Sequence, residues 1–270
     1  MPSIRTDIPL LSPFTWLAKG FADLRATYFA GTFYGLVFVL FGYALSMVYA
    51  NYWKVTMGLT AGFFLLGPLV CTGLYELSRQ VENGDTTSLF SSTKAWLRNW
   101  KSIVFFAVIL TFLMIVWARV SIVVFALFAD QEYPHLQSLF SQIASAKNLE
   151  FLMVWAGVGS VFASLAFAIA IVSVPMLIDR PTDTLTAVFT SANALWNNTL
   201  VCMVWGACIV ILIGLALVFF KPLLIVTAPW VGHATWHAYR ALVSQEDTEE
   251  VSEELGLPAF EQQSVGHHAH

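Results

Sequence analysis

Charged side chains are scarce in this sequence. Asp, Glu, Lys and Arg make up only 11% of its 270 residues, and 58% of the chain is hydrophobic. Soluble domains carry roughly 25% charge, so a chain this poor in charge cannot clothe itself in a solvated surface, and an ordinary soluble fold is excluded. Cysteine is sparse as well. Cys71, Cys202 and Cys208 all lie in apolar stretches without metal-ligand or redox spacing, so neither a disulfide framework nor a thiol centre is indicated, and each reads as a small hydrophobe. No nucleophile motif, phosphate loop or nucleic-acid surface appears. There is consequently no catalytic residue to name, no cofactor to expect and no nucleic-acid partner.

What the chain has is long apolar runs. Six are present: about Gly31 to Ala50, Val55 to Tyr75, Ser102 to Phe128, Phe151 to Ile178, Leu200 to Phe220, and a sixth following Lys221-Pro222. About 20 apolar residues cross a bilayer core, and lipid offers the backbone no hydrogen-bond partner, so continuous runs of this length mean helices. A barrel would need shorter, alternating segments. The expected fold class is an all-α polytopic membrane protein of six transmembrane helices. Three regions are expected: a cytoplasmic segment with an interfacial helix over 1–30, the transmembrane domain over 31–243, and a tail over 244–270.

Lys and Arg fall mainly in every other gap. Arg5, Lys19, Arg25, Arg79, Lys94, Arg98, Lys101, Arg180 and Arg240 share one side, against Lys54, Lys147 and Lys221 on the other. Basic loops stay inside, which predicts cytoplasmic termini. The first apolar run starts about 30 residues in and outlasts a signal-peptide core, so it reads as an uncleaved helix. After Arg240 no basic residue follows, while Glu246, Asp247, Glu249, Glu250, Glu253, Glu254 and Glu261 do. That acidic, weakly apolar tail reads as disordered, and its His267, His268 and His270 as solvated.

Weak internal similarity recurs. The segments FADLRATYF, TKAWLRNWK and ANALWNNTL precede the first, third and fifth runs, and each mixes aromatic and polar residues suited to a membrane interface. The second, fourth and sixth runs each hold one proline, Pro68, Pro175 and Pro229, where a lost backbone donor predicts a kink. The pattern is three hairpins, each entered through an interfacial amphipathic segment. Four residues after the prolines stand Thr72, Asp179 and His233, and eight after them Glu76, Asp183 and His237. Pro181 ends a helix before Asp183, which leaves Glu76, Asp179, His233 and His237 as an expected group at the cytoplasmic rim. His233 and His237 share one helical face and are the weak candidates for a metal; bonds to headgroups, backbone or a carboxylate are the plainer reading.

Arg119 interrupts the third run. A central arginine costs about 3 kcal/mol on insertion scales, but this one lies about nine residues, roughly 13 Å, from the external end. It can snorkel, or meet Glu150 at the start of the fourth run. Gly58 and Gly62, with Gly67 and Gly73 beyond, suit close helix packing. The external segment from Ala129 to Glu150 suits a short amphipathic helix.

The stretches WLAKGFADL from Trp16, LLGPLVCTGLYELSRQ from Leu65, SVPMLIDR from Ser173 and GHATWHAYRALV from Gly232 resemble a prokaryotic family of predicted integral membrane proteins, a domain of unknown function. The resemblance covers nearly all of the chain before the acidic tail. It implies a bacterial inner-membrane location and six helices, and it supplies no catalytic residue. Some relatives carry a cytochrome c oxidase subunit label, yet this chain lacks the many intramembrane histidines of a haem-copper subunit. The leading expectation is a non-enzymatic protein that binds membrane lipids or another membrane protein, a respiratory complex being one version. The alternative is a small transporter or channel whose polar route uses Arg119 with Glu76, Asp179, His233 and His237. A metal- or haem-dependent enzyme comes third.

Overall fold

A computed structural model describes residues 2–51, 70–128 and 149–244. Pro68, the GxxxG pair Gly58 and Gly62, the external segment 129–148 and the tail 245–270 lie outside the described residues. The described residues are mostly helical: α1 (Ser12–Ala26), α2 (Tyr28–Asn51), α3 (70–82), α4 (Leu89–Thr93), a 3-10 turn (Ala95–Asn99), α5 (Trp100–Leu127), α6 (Leu149–Ala170), α7 (Ser173–Asp179), α8 (Thr184–Asn197), α9 (Thr199–Phe219), and α10 (Leu224–Leu242). No strand occurs among the described residues. Backbone pairs across the chain at one bridge, where Ile4 lies antiparallel to Val243.

Three helical stretches, Leu89–Val124, Leu149–Asp179 and Thr199–Leu217, are long and apolar enough to cross a membrane; α1 and α2 together make a fourth across a 107° bend. The sixth expected run is not among them. Its helix, α10, starts apolar but carries His233, His237 and Arg240 in its second half, which lowers its hydropathy below that of a span, and most of its length is buried against other helices.

Several sequence signals have a local counterpart among the described residues. The three aromatic-polar segments fall at the junctions of α1 with α2, of the 3-10 turn with α5, and of α8 with α9. Pro175 follows a break at 171–172 that separates α6 from α7, whereas α10 runs through Pro229 without ending. Asp183 is the N-cap of α8, its carboxylate accepting from Thr186 N at 3.0 Å and Thr186 Oγ1 at 2.6 Å. Asx-capping of orphan helix N–H groups is its local role.

The packed core gathers at one end of the bundle. Leu74 and Leu77 of α3, Met176, Leu177 and Ile178 of α7, Ile103 and Phe106 of α5, and Trp236, Tyr239 and Leu242 of α10 are buried. Further along, Phe112, Leu127, Val210 and Phe219 on α5 and α9 face outward. In lipid, exposed apolar side chains carry no penalty and helices gain little from hydrophobic drive; where a side chain would otherwise meet water, its full burial is worth about 1.5–3 kcal/mol.

Candidate functional site

Polar side chains concentrate at the same end, beginning with α1. Gly20 and Asp23 lie three residues apart on one face, and that face meets α10 at backbone contact: a Cβ on Gly20 would stand 2.5 Å from Ala234 N. This closeness lets Asp23 reach α10, where His237 Nε2 lies 2.9 Å from its Oδ2. From α3, Ser78 Oγ donates to the same Asp23 oxygen at 2.7 Å. Its single proton spent, Ser78 acts as acceptor towards His233 Nδ1 at 2.7 Å, which places a proton on Nδ1. The opposite nitrogen, Nε2, faces Thr27 Oγ1 at 3.2 Å. Thr27 sits at the α1–α2 bend, so one network joins α1, α3, α10 and the start of α2. Asp23, Ser78, Thr27 and His233 are all buried.

Glu76 anchors a second network. Arg79 grips it with two bonds, Nε to Oε2 at 2.9 Å and Nη2 to Oε1 at 2.7 Å. Gln80 donates to Oε1 at 3.1 Å and Arg98 Nη2 to Oε2 at 3.2 Å. Arg98 also donates to the Ile178 carbonyl, tying the 3-10 turn to α7. Burial on its own would raise the Glu76 carboxyl, but the bonds and charge of Arg79, with Gln80 and Arg98, hold it below its ordinary value.

A third network surrounds Asp179 at the end of α7. Tyr239 OH donates to Asp179 Oδ2 at 2.5 Å and accepts from Arg180 Nε at 3.1 Å. Arg240 stands between Asp179, at 3.7 Å, and Glu82, to which its Nε donates at 2.9 Å. Trp236 Nε1 donates to the other Glu82 oxygen at 2.7 Å. Tyr239→Phe removes one donor and one acceptor from charged partners that keep other contacts, so it should lower stability by about 1–2 kcal/mol. Thermal unfolding of the detergent-solubilised variant reads this directly.

Of the expected rim group, then, the structure places Glu76, Asp179, His233 and His237 at one end but in three separate networks. Their partners Asp23, Ser78, Thr27, Arg98, Tyr239 and Glu82 did not emerge from the proline alignment. Asp23 had a signal, since it is the one carboxylate in the aromatic-polar segment before α2. No group of three or more His, Cys, Asp or Glu side chains able to hold a metal occurs among the described residues, and both nitrogens of His233 already face hydroxyls. Arg119 stands apart on α5 with an exposed side chain, and among the described residues no ion pair joins it to Glu150. Nearby, Trp117 and Trp155 lie 5.7 Å apart, with Trp155 Nε1 donating to Ser121 Oγ at 2.9 Å.

Glu76 and Asp179, with the ion-paired arginines Arg79 and Arg98, fall inside one recognisable stretch. Residues 55–179 match a family described as "Predicted integral membrane protein (DUF2189)". The DUF2189 match runs from the segment before α3 to the last residue of α7, and so leaves Asp23, His233 and His237 outside it. No match was found among curated proteins or solved structures. The match and the apolar helices together make this an integral membrane protein with several helices long and apolar enough to cross a membrane; the DUF2189 description assigns no activity.

Proposed function

We propose that the protein is a non-enzymatic bacterial inner-membrane protein that binds or organises membrane lipid or a membrane-protein partner. In this reading it has six crossings as three hairpins, cytoplasmic termini, an interfacial N-terminal segment over 1–30, a membrane domain over 31–243 and a cytoplasmic acidic tail over 244–270. One observation carries the functional part: Asp23, Glu76 and Asp179 at the packed end are turned inward and paired, while the outward faces of the short helices there carry aromatic rings. Phe14 of α1, Phe90 of α4, Trp100 at the start of α5, and Phe189 and Trp196 of α8 are all at least half exposed, Trp196 at 82%. Aromatic rings in such positions suit the headgroup level of a bilayer.

The transport reading needs a polar route from Arg119 to that end. On α5, between Ser102 and Arg119, the single hydroxyl is Thr111, which returns its hydrogen to its own helix at Ala107 O, 2.8 Å away. The inward face of the helix there is Ile103, Phe106 and Ala107, all buried. This favours a packed accessory protein over a conduit.

Purification from the native host in nanodiscs, followed by identification of copurifying lipids and proteins, tests the proposal. An enriched lipid or protein companion is expected, and recovery of the chain with neither would sink it. Cysteine labelling at Asn51 and Asn83 tests the topology, with opposite accessibility expected.

A further inference from the structure

The inward networks use up only some of the cations at the packed end. Arg79 and Arg98 are held by Glu76, Arg180 and Arg240 by Asp179 and Glu82, and Arg5 lies near Asp7. Lys19 and Arg25 on α1, Lys94 beside α4 and Lys101 on the first turn of α5 remain, all exposed, with no carboxylate within ion-pair distance among the described residues. Three of them rest on rings instead. Arg25 Cζ lies 4.4 Å from the Phe21 centroid, Lys94 Nζ 3.8 Å from that of Phe90, and Lys101 Nζ 6.0 Å from that of Trp100.

The third short helix differs. α8 exposes Leu185, Phe189 and Trp196 as fully as its counterparts expose their own apolar residues, yet Thr184–Asn197 contains no Lys or Arg. The charge next to it in sequence, Asp183, is negative, and the cations that approach its ends belong to other segments: Lys101, beside the Ser102 carbonyl that accepts from Thr184, and Arg5, whose carbonyl accepts from Asn198. Cation and ring at one depth match a lipid whose headgroup is anionic and whose chains continue past the ring. A ring without a cation makes no such distinction.

Resting on the interfacial placement above, we propose that α1 and the α4–α5 junction select anionic phospholipid from the cytoplasmic leaflet, whereas α8 takes zwitterionic and anionic lipid alike. A basic side chain at an anionic surface gives roughly a fivefold preference, and the preference weakens as salt screens it. The bilayer is the source of the anion, and headgroup charge is what these positions read.

The test places a bimane probe at A22C on α1, L97C on the 3-10 turn or F189C on α8, in a chain whose Cys71, Cys202 and Cys208 are replaced by alanine. The protein is reconstituted in phosphatidylcholine nanodiscs holding equal amounts of either brominated phosphatidylcholine or brominated phosphatidylglycerol. At positions 22 and 97 brominated phosphatidylglycerol should quench more strongly, by an excess that falls with added salt; at 189 the two should quench equally. K94Q combined with K101Q touches no ion pair and should abolish the excess at 97 while leaving that at 22. Equal quenching by both lipids at 22 and 97, or an equal excess at 189, overturns the selectivity and leaves the interfacial placement standing. Absence of quenching by either lipid at all three positions overturns the placement itself.

Discussion

Gly20→Ala should destabilise the protein by about 3 kcal/mol, at the upper end of the usual cost of overpacking, and loosen α1 from α10. The added methyl would meet Ala234 N at 2.5 Å, its Cα at 2.7 Å and its Cβ at 2.8 Å. None of these can rotate away, so the helices themselves must part. Parting them also draws Asp23 from His237 and Ser78, which leaves a buried carboxylate with fewer donors. Gly35 makes the corresponding approach for α2, against the backbone carbonyl of Ile225. Thermal unfolding in detergent measures the effect, with Gly157→Ala as the control, because a Cβ there meets nothing within 4 Å. Equal melting temperatures for Gly20→Ala and Gly157→Ala would show that the α1–α10 contact contributes little to stability.

Glu76→Ala should be as damaging or more so. Removing one partner of a buried, multiply bonded ion pair costs about 3–5 kcal/mol, and here both Arg79 and Arg98 lose their shared acceptor. The pH dependence has a definite sign. The folded carboxyl is held below its ordinary value of 4.5, so the stability it contributes is complete above that value and is lost as pH falls through the depressed folded value. Wild type should therefore lose stability on acidification below about pH 4.5, and Glu76→Ala should lack that share of the loss. Unfolding series across the acid range compare the two, and superimposable slopes would contradict the assignment.

The sequence identified the end of the molecule where polar chemistry gathers but not how it divides. Aligning the prolines placed Glu76, Asp179, His233 and His237 at comparable depths, which follows from helical rise alone. Which way each side chain turns depends on the rotation of its helix, and hydropathy is nearly uniform around a lipid-facing helix, so it carries no such information. Some partners lie on the same long helices, Ser78 and Glu82 on α3 and Tyr239 on α10, while Asp23 on α1 and Arg98 on the 3-10 turn come from short segments whose docking is set by tertiary contacts such as Gly20 on Ala234. Asp183 was grouped with Glu76 and His237 by the proline alignment and set apart by the helix-ending Pro181 two residues before it; its capping of Thr186 is a local bond that the alignment obscured. Counting six similar apolar runs also overstated the resemblance of the last one. α10 opens as a span does, but its His233 and Trp236 are buried at the packed end and its His237 is partly buried against Asp23.

The bridge between Ile4 and Val243 bears on counting. Arg5 N donates to Leu242 O at 3.1 Å and Ser244 N to Ser3 O at 3.0 Å, so residues 3–5 and 242–244 are joined, in keeping with the proposed placement of both on one side of the membrane. A path that leaves a compartment and returns to it crosses the boundary an even number of times. The proposed topology therefore requires an even number of crossings between those residues, and a topology experiment that places residues 4 and 243 on opposite sides of the membrane contradicts it.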